Sequence, residues 1–437
     1  MILISEKSGK HERTEKAGKT DKHEKADKTE KTDKRLIPDF NIGIVGHVDH
    51  GKTTLTEALT GKWTDTHSEE IKRGISIRLG YADLTIYKCP RCKGSKAYST
   101  SKKCIGCFSA GEPVRTISFV DAPGHETLMA TVLSGAALMD GALLVIAANE
   151  ECPQPQTSEH LTALNIVGIR KVIIVQTKID IVTREQALAN YRQIKDFVKG
   201  TIAENAPIVP VSARQRVNLD VLIETMDTVM EPAVRDPKKA PKFQIARSFD
   251  VNKPGTEIEK LEGGVLGGSL VQGRLKVGDE IEIRPGIKAK DRYEPVKTRV
   301  TGLQKAGKNL AEIEPGGLAG LSTSLDPYLT KADSLSGSIA GLPGKLPPLS
   351  NTIRMKTTLL KRVVGTKEML DVGDIKTSDM LMITLATMRT TGSVVSGKAG
   401  ETEVNLKSPL CVDRGEKVSI SKLFSGRWRL IGYGEII

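Results

Sequence analysis

The 437-residue chain carries 65 Lys and Arg against 53 Asp and Glu, a formal net charge of +12, with 38% hydrophobic residues and 41 glycines. That length predicts about three domains, and the composition excludes a fibrous or wholly disordered chain. Aromatic residues at 4% argue against a broad stacking platform for single-stranded nucleic acid; the charge fits either plain solubility or a polyanionic partner, and its spread locates no binding face.

Residues 5–35 are built mostly from Lys, Glu, Asp and Thr, with 11 basic and 8 acidic residues within 1–35. Such a stretch buries too little apolar surface to offset its ordering entropy. Residues 1–36 are therefore expected to form a disordered charged tail, either solvated or acting as a weak nucleic-acid tether. An apolar strand over 41–46 leads into a glycine-rich turn, and Leu55, Ala58 and Leu59 then fall at helical spacing until Gly61. Further strands are expected near 83–87, 116–121, 142–147, 172–176 and 208–211. Helices are expected near 126–138, 156–167, 184–198 and 218–230. This alternation predicts a mostly parallel sheet with helices on both faces. Pro232, Pro237 and Pro241 interrupt regular structure, short β-type runs follow, and a second proline-rich break lies at 343–348. The expected division is an α/β domain over 37–236, then β-barrels over 237–347 and 348–437. Residues 1–4 are too short for a secretion-signal core and 141–148 too short to cross a bilayer, so a cytoplasmic protein with no membrane partner is expected.

Gly46-His47-Val48-Asp49-His50-Gly51-Lys52-Thr53 fits G-x-x-x-x-G-K-[ST] between a strand and a helix, the context in which this spacing cradles phosphate. Its glycines let backbone N–H groups approach phosphate oxygens at a helix N-terminus. Lys52 would reach the β- and γ-phosphates, and the Thr53 hydroxyl would ligate magnesium. Asp121-Ala122-Pro123-Gly124 ends a strand, so Asp121 can hold magnesium through water and Gly124 can offer its N–H to a γ-phosphate. Gln176-Thr177-Lys178-Ile179-Asp180 ends another. The Asp180 carboxylate can accept two hydrogen bonds from the guanine ring N–H and exocyclic amine; adenine cannot supply that pair and would leave the carboxylate unmatched. Thr177 stands where Asn is usual and is expected to lack a bond to the base or to the phosphate loop. Ser212-Ala213-Arg214 ends the next strand and can buttress the base. In Arg73-Gly74-Ile75-Ser76 the Ser76 hydroxyl can ligate magnesium while a γ-phosphate is present, and loss of that phosphate would release the segment.

Four of the six cysteines form Cys89-x-x-Cys92 and Cys104-x-x-Cys107, separated by 11 residues. Four thiolates at this spacing suit a tetrahedral structural zinc in a knuckle over 88–108. A dithiol redox pair and metal-free cysteines are the alternatives. Cys152 and Cys411 read as isolated buried thiols.

With these motifs, the chain resembles the gamma subunits of archaeal and eukaryotic translation initiation factor 2, relatives of elongation factor Tu. The matching segments are 46–54, 121–125, Pro153-Gln154-Pro155-Gln156-Thr157 with Glu159-His160, 247–255, 325–333 and Gly426-Arg427-Trp428-Arg429-Leu430-Ile431-Gly432. The lack of long insertions points to an archaeal member. The resemblance implies a P-loop GTPase domain with a zinc knuckle, followed by two β-barrels. It implies GTP hydrolysis to GDP with Mg2+ and Zn2+ bound, and a heterotrimer with the alpha and beta subunits. It further implies GTP-dependent binding of methionylated initiator tRNA and its delivery to the small ribosomal subunit on mRNA. Carried onto this sequence, the nucleotide contacts are Asp49, His50, Gly51, Lys52, Thr53, Thr54, Gly124, Thr177, Lys178, Asp180, Ser212, Ala213 and Arg214. Magnesium falls to Thr53 and Ser76 with Asp121 behind them, and a further magnesium to Asp49 and Gly74. His125 matches the residue that positions the attacking water.

Three other readings stay open on the residues. A scaffold that holds GTP without turning it over is separated by single-turnover hydrolysis. A different elongation-factor relative, such as a selenocysteine-specific one, is disfavoured by the four cysteines and by Pro153-Gln154-Pro155-Gln156. A P-loop ATPase is separated by the GTP preference that Asp180 predicts.

Overall fold

Strand β1 (Pro38–Gly46) is buried at every position but one, as an apolar strand must be when it has neighbours on both edges and helices on both faces. In this computed structural model, which describes residues 33–64, 79–125, 129–232, 235–290, 292–363, 370–398 and 400–437, β1 is the middle strand of seven. The others are β2 (Gly80–Lys88), β3 (Tyr98–Ser99), β4 (Glu112–Asp121), β5 (Gly141–Ala147), β6 (Lys171–Thr177) and β7 (Ile208–Pro210). Their order is β3-β2-β4-β1-β5-β6-β7. Strands β4, β1, β5, β6 and β7 are parallel, and β2 joins β4 antiparallel. Side chains along β1 alternate between two cores. Phe40, Ile42 and Ile44 pack with Leu55, Leu59, Leu222 and Met226, while Val45 packs with Val132, Leu133, Leu161 and Ile194. The helices that supply these partners are Lys52–Thr60 and Leu219–Val229 on one face, and Met129–Ala136, Pro155–Val167 and Arg184–Val198 on the other.

The mostly parallel, helix-covered sheet is thus the one expected, with two differences in detail. Lys34–Leu36 forms a short 3-10 turn, and Thr116 Oγ1 donates to the Arg35 carbonyl at 2.9 Å. This places 34–36 with the folded part rather than the charged tail; residues 1–32 lie outside the described residues. Strand β3 was not anticipated: two residues of the cysteine insertion add an edge strand to β2, too short to show a period. The N-terminal end of the helix expected over 126–138 falls partly at 126–128, outside the described residues.

Beyond the prolines, β8 (Lys242–Phe249) through β16 (Ile339–Gly341) form the second domain. Six of them, among them β9 (Val265–Gln272), β11 (Glu280–Ala289), β12 (Arg292–Lys305) and β15 (Ala319–Thr323), follow the order β11-β16-β8-β9-β15-β12 and close through a β11–β12 pairing into a barrel. Strands β17 (Leu349–Leu359) to β22 (Arg427–Ile436) form a second closed barrel. Each has its own apolar core.

Both barrels are fixed to the α/β domain by specific contacts. Gly316 and Gly317 approach the backbone of Asp39 and Pro38 so closely that a Cβ on either would collide with it. Nearby, the Leu318 N–H donates to Ser118 Oγ at 3.1 Å, and Asn41 Nδ2 donates to Ser269 Oγ at 3.2 Å. The C-terminal barrel packs β21 (Lys417–Phe424) and β22 on helix Pro155–Val167. There Arg429 Nη1 donates to Glu159 Oε1 at 2.9 Å, with both side chains almost wholly buried. A buried pair of this kind is costly to break from one side, because the remaining charge stays in a poorly solvated place. Arg429→Met should therefore destabilise the chain by about 3–5 kcal/mol, and the double change Arg429→Met with Glu159→Leu should recover most of that, both read from denaturant unfolding midpoints.

Candidate functional site

The carboxyl ends of the parallel strands lie along one edge of the sheet, where open α/β sheets bind ligands. Of the five loops that leave that edge, four carry the motifs: 47–51 after β1, 122–125 after β4, 178–180 after β6 and 211–214 after β7. Their order across the sheet puts the phosphate-type motifs beside each other on β4 and β1, and the base-reading motifs on β6 and β7.

Gly46 closes β1 with φ +146, and a Cβ there would strike the Val145 carbonyl, so only glycine lets the chain turn at this point. The Gly46 N–H donates to His160 Nδ1 at 2.8 Å. Lys52 and Thr53 open the helix Lys52–Thr60 directly after Gly51, whose φ is +86. The Lys52 ammonium donates to the His47 carbonyl at 2.6 Å, which holds it over the loop. Asp121 Oδ2 accepts from Thr53 Oγ1 at 3.1 Å and from Thr64 Oγ1 at 2.7 Å. A Cβ on Gly124 would run into Lys52 Nζ and the backbone of His47 and Val48, so the loop after β4 lies on the phosphate loop. His125 follows, half-buried.

At the other end, the Thr177 hydroxyl donates to the His50 carbonyl at 2.7 Å. Of the two bonds, to the base or to the phosphate loop, one of which Thr177 is expected to lack, the one to the loop is made. Gln176 Nε2 bonds to Asn190 Oδ1 at 2.9 Å, and Val211 N–H donates to the Gln176 carbonyl at 2.7 Å, which ties the two base-side loops together. Lys178 adopts φ +58, Asp180 is exposed, Ser212 is buried, and Ala213 and Arg214 lead outward. Asp49 is exposed with φ +60, and Thr54 is half-buried. The His50 side chain turns inward to the Val145 carbonyl at 3.0 Å and towards Glu150 at 3.4 Å, leaving only its backbone for a ligand. Ser76 and Gly74 lie outside the described residues.

Sequence reasoning missed three supporting groups. Thr64 carries no motif. His160 and Arg429 sit inside recognised segments, but nothing local says that one accepts from Gly46 and the other meets Glu159.

The donor sets suit the groups the sequence implies. Thr53 and Asp121 offer a hydroxyl and a carboxylate at one point, a hard-oxygen pair that suits magnesium. Cys89, Cys92, Cys104 and Cys107 bring four Sγ atoms within 4.8 Å of one another. Cys89 and Cys107 Sγ are 3.4 Å apart, and Cys92 and Cys104 Sγ 3.6 Å. These separations are far beyond a disulfide bond and close to the roughly 3.8 Å edge of a tetrahedron with zinc–sulfur bonds of about 2.3 Å. Hydrogen bonds from Ser109 bring the Cys107 thiol down to about 6, and the N–H groups of Cys107 and Gly106 lower Cys104, while hydrogen bonds with Cys104 and Cys107 push Cys92 up to about 12; the sulfur geometry, rather than the acidity of the thiols, is what suits zinc. Cys411 is buried as expected and Cys152 partly so; both are free, and burial pushes both thiols up to about 12.

Burial pushes His50 down to about 4 and His160 to about 3, with Lys52 adding repulsion in both cases. Both rings are therefore neutral in the folded chain, and each would take a proton near 6.5 once unfolded. Below that pH the unfolded chain binds more protons, so stability should fall with acidification. The fall is up to about 1.4 kcal/mol per pH unit for each ring, over the window from pH 6.5 to about 4 for His50 and about 3 for His160. His160→Leu should remove one of these contributions and cost about 1–3 kcal/mol at neutral pH by leaving the Gly46 N–H without its acceptor. Urea unfolding at several pH values measures both.

Comparison with known proteins agrees with this geometry. Residues 38–232 match the elongation factor Tu GTP binding domain, residues 263–338 match elongation factor Tu domain 2, and residues 351–436 match the C-terminal region of initiation factor eIF2 gamma. The translation initiation factor 2 subunit gamma of Methanothermobacter thermautotrophicus is 59% identical over 91% of this chain and 98% of its own length. That of Methanocaldococcus jannaschii is 56% identical over 91% of this chain and 97% of its own length. Among solved structures, a bacterial selenocysteine-specific elongation factor superposes with a TM-score of 0.70 at 26% identity, covering 92% of this chain but only 58% of its own. The elongation factor SelB of Methanococcus maripaludis gives 0.68 at 22% identity, covering 92% and 79%, and supports the fold alone. The site's loops, the two barrels and the full-length sequence identity together place the chain in the translation initiation factor 2 subunit gamma family, whose members are elongation factor Tu-like translational GTPases.

Proposed function

We propose that this GTPase binds methionylated initiator tRNA when GTP is present, carries it to the small ribosomal subunit on mRNA, and releases it on hydrolysis to GDP. On this reading residues 37–236 are the switch and 237–347 and 348–437 are the barrels, with the alpha subunit on the second domain and the beta subunit on the first. The observation that carries the switch is the packing of Gly124 on Lys52 and the phosphate-loop backbone. A γ-phosphate entering that contact has to move or order the loop after β4, which is how its presence becomes a change of shape. The family relationship carries the tRNA part.

The chemistry follows from the residues in place. Backbone N–H groups of residues 49–54 and the Lys52 ammonium cradle the β- and γ-phosphates, and Lys52 offsets charge on the transferring group. Thr53 and Asp121, with Ser76, hold magnesium, as would Asp49 and Gly74 at a further position; when bound, the ion neutralises charge on the phosphate oxygens. Asp180 reads the guanine edge, with Thr177, Lys178, Ser212, Ala213 and Arg214 around the ring. His125 orients a water in line with the γ-phosphate, and with positioning as the main lever the reaction is slow until a partner fixes that geometry. Four thiolates, Cys89, Cys92, Cys104 and Cys107, hold a structural zinc.

His125→Ala should lower single-turnover hydrolysis on ribosomes by two orders of magnitude or more, about the size of a lost positioning group, while GTP affinity stays near the parent's; an unchanged rate removes His125 from the mechanism. Methionylated tRNA with GTP should bind far more tightly than the same tRNA with GDP, or unacylated tRNA with either nucleotide, in filter-binding assays with the alpha subunit present. Equal affinity in all four states would overturn the proposed function.

A further inference from the structure

The cysteine insertion lies at the opposite end of the sheet from the nucleotide loops. Lys88 at the end of β2 pairs with Glu112 at the start of β4, whereas Gly80 pairs with Asp121 at the nucleotide edge. Between them, residues 88–111 contain Lys88, Arg91, Lys93, Lys96, Lys102 and Lys103 and no Asp or Glu. All six cations are exposed. Lys88 lies over the Tyr98 ring and faces Asp227 and Glu224 of the neighbouring helix. The other five make no ion pair among the described residues. A local excess of this kind repels itself, and a polyanion is what relieves it.

Charge alone does not select a partner, but the tip adds a second feature. Phe108 is 68% exposed and Ile105 is 74% exposed. Phe108 holds φ +59, and its N–H donates to the Cys104 carbonyl at 3.0 Å. The turn that gathers the sulfur atoms therefore also fixes this ring outward, where it gains little from burial. Lys103 Nζ stands 5.4 Å from the ring centroid. A fixed, exposed aromatic face among cations without acidic partners fits an unpaired base with its phosphates: the ring stacks and the cations neutralise. An acidic protein that buries Phe108 together with Ile105 is the rival occupant, and the test below separates the two. The low aromatic content that argues against a broad stacking platform does not bear on a contact made by one ring.

We propose that the tip of the cysteine knuckle is an RNA contact, in which Phe108 stacks on an unpaired base and Lys102 and Lys103 hold the adjoining phosphates. This goes beyond the nucleotide switch and does not depend on it, since the tip and the nucleotide loops are at opposite ends of the sheet.

The test is fluorescence anisotropy of a labelled oligouridylate of about twelve nucleotides, within the usual site size for such binding, against the full chain loaded with zinc. Phe108→Ala should weaken binding by about fivefold or more, the usual effect of removing one stacked base. Lys102→Glu with Lys103→Glu should weaken it further and reduce the slope of log affinity against log salt by about 0.7 for each phosphate that is no longer neutralised. Arg192→Glu with Lys199→Glu removes the same charge from exposed positions on and beside helix Arg184–Val198 and should change affinity much less. Zinc content and GTP affinity should match the parent in every variant, which shows an intact knuckle and an intact switch. Parent-like RNA binding by the knuckle variants, as a protein-binding knuckle would give, overturns the proposal. So does an equal weakening in the Arg192 and Lys199 control.

Discussion

The nucleotide end of this molecule depends on one hydrogen bond, from the Gly46 N–H to Nδ1 of a buried, neutral His160. Because Nδ1 accepts, the proton of the neutral ring is on Nε2. Gly46 is the last residue of the central strand, and everything from His47 to Thr53 takes its direction from the way the chain leaves it. A charged ring could not accept, and an absent one would leave a buried donor unpaired. The desolvation that holds His160 neutral is thus part of how the phosphate loop keeps its shape.

The same helix makes a second, unrelated bond one residue earlier. Successive helical positions point about a quarter-turn apart, so Glu159 and His160 face different neighbours: Glu159 meets Arg429 of the C-terminal barrel, and His160 meets the phosphate loop. Helix Pro155–Val167 is therefore a common support for the loop and for the barrel. The buried ion pair marks where the barrel docks more than it adds net stability, since its Coulombic gain is largely offset by the desolvation of both charges. The glycine contacts at 316 and 317 do the equivalent for the second domain by steric fit.

On the other side of β1, Asp121 gathers the hydroxyls of Thr53 and Thr64 while Gly124 packs on Lys52. The parts that would sense a γ-phosphate are thus in mutual contact. The cysteine insertion, at the far end of the sheet, pairs with β2 and packs on helix Leu219–Val229, away from these loops.

The nature of the nucleotide loops and of the cysteine insertion is legible in the sequence, because that chemistry is written in contiguous residues: glycines where the backbone must turn, Lys52 and Thr53 at a helix start, Asp180 at a strand end, and, at the other end of the sheet, paired cysteines with two residues between them. The alternation of strands and helices is legible for the same reason, since periods of two and 3.6 are local. Which bond Thr177 keeps escapes a residue-type rule because its partner is 127 positions away in the chain, and no such rule can tell how near β6 ends to the loop. Thr64 carries no signal, and the edge strand at Tyr98–Ser99 is too short to announce itself. The Arg429–Glu159 pair spans 270 positions, and no spacing along a chain encodes which two distant charges will share one dry place. Sequence determined which chemical groups this protein owns and the local turns that present them; tertiary structure decided which groups meet, because burial and charge pairing depend on what the fold excludes from water.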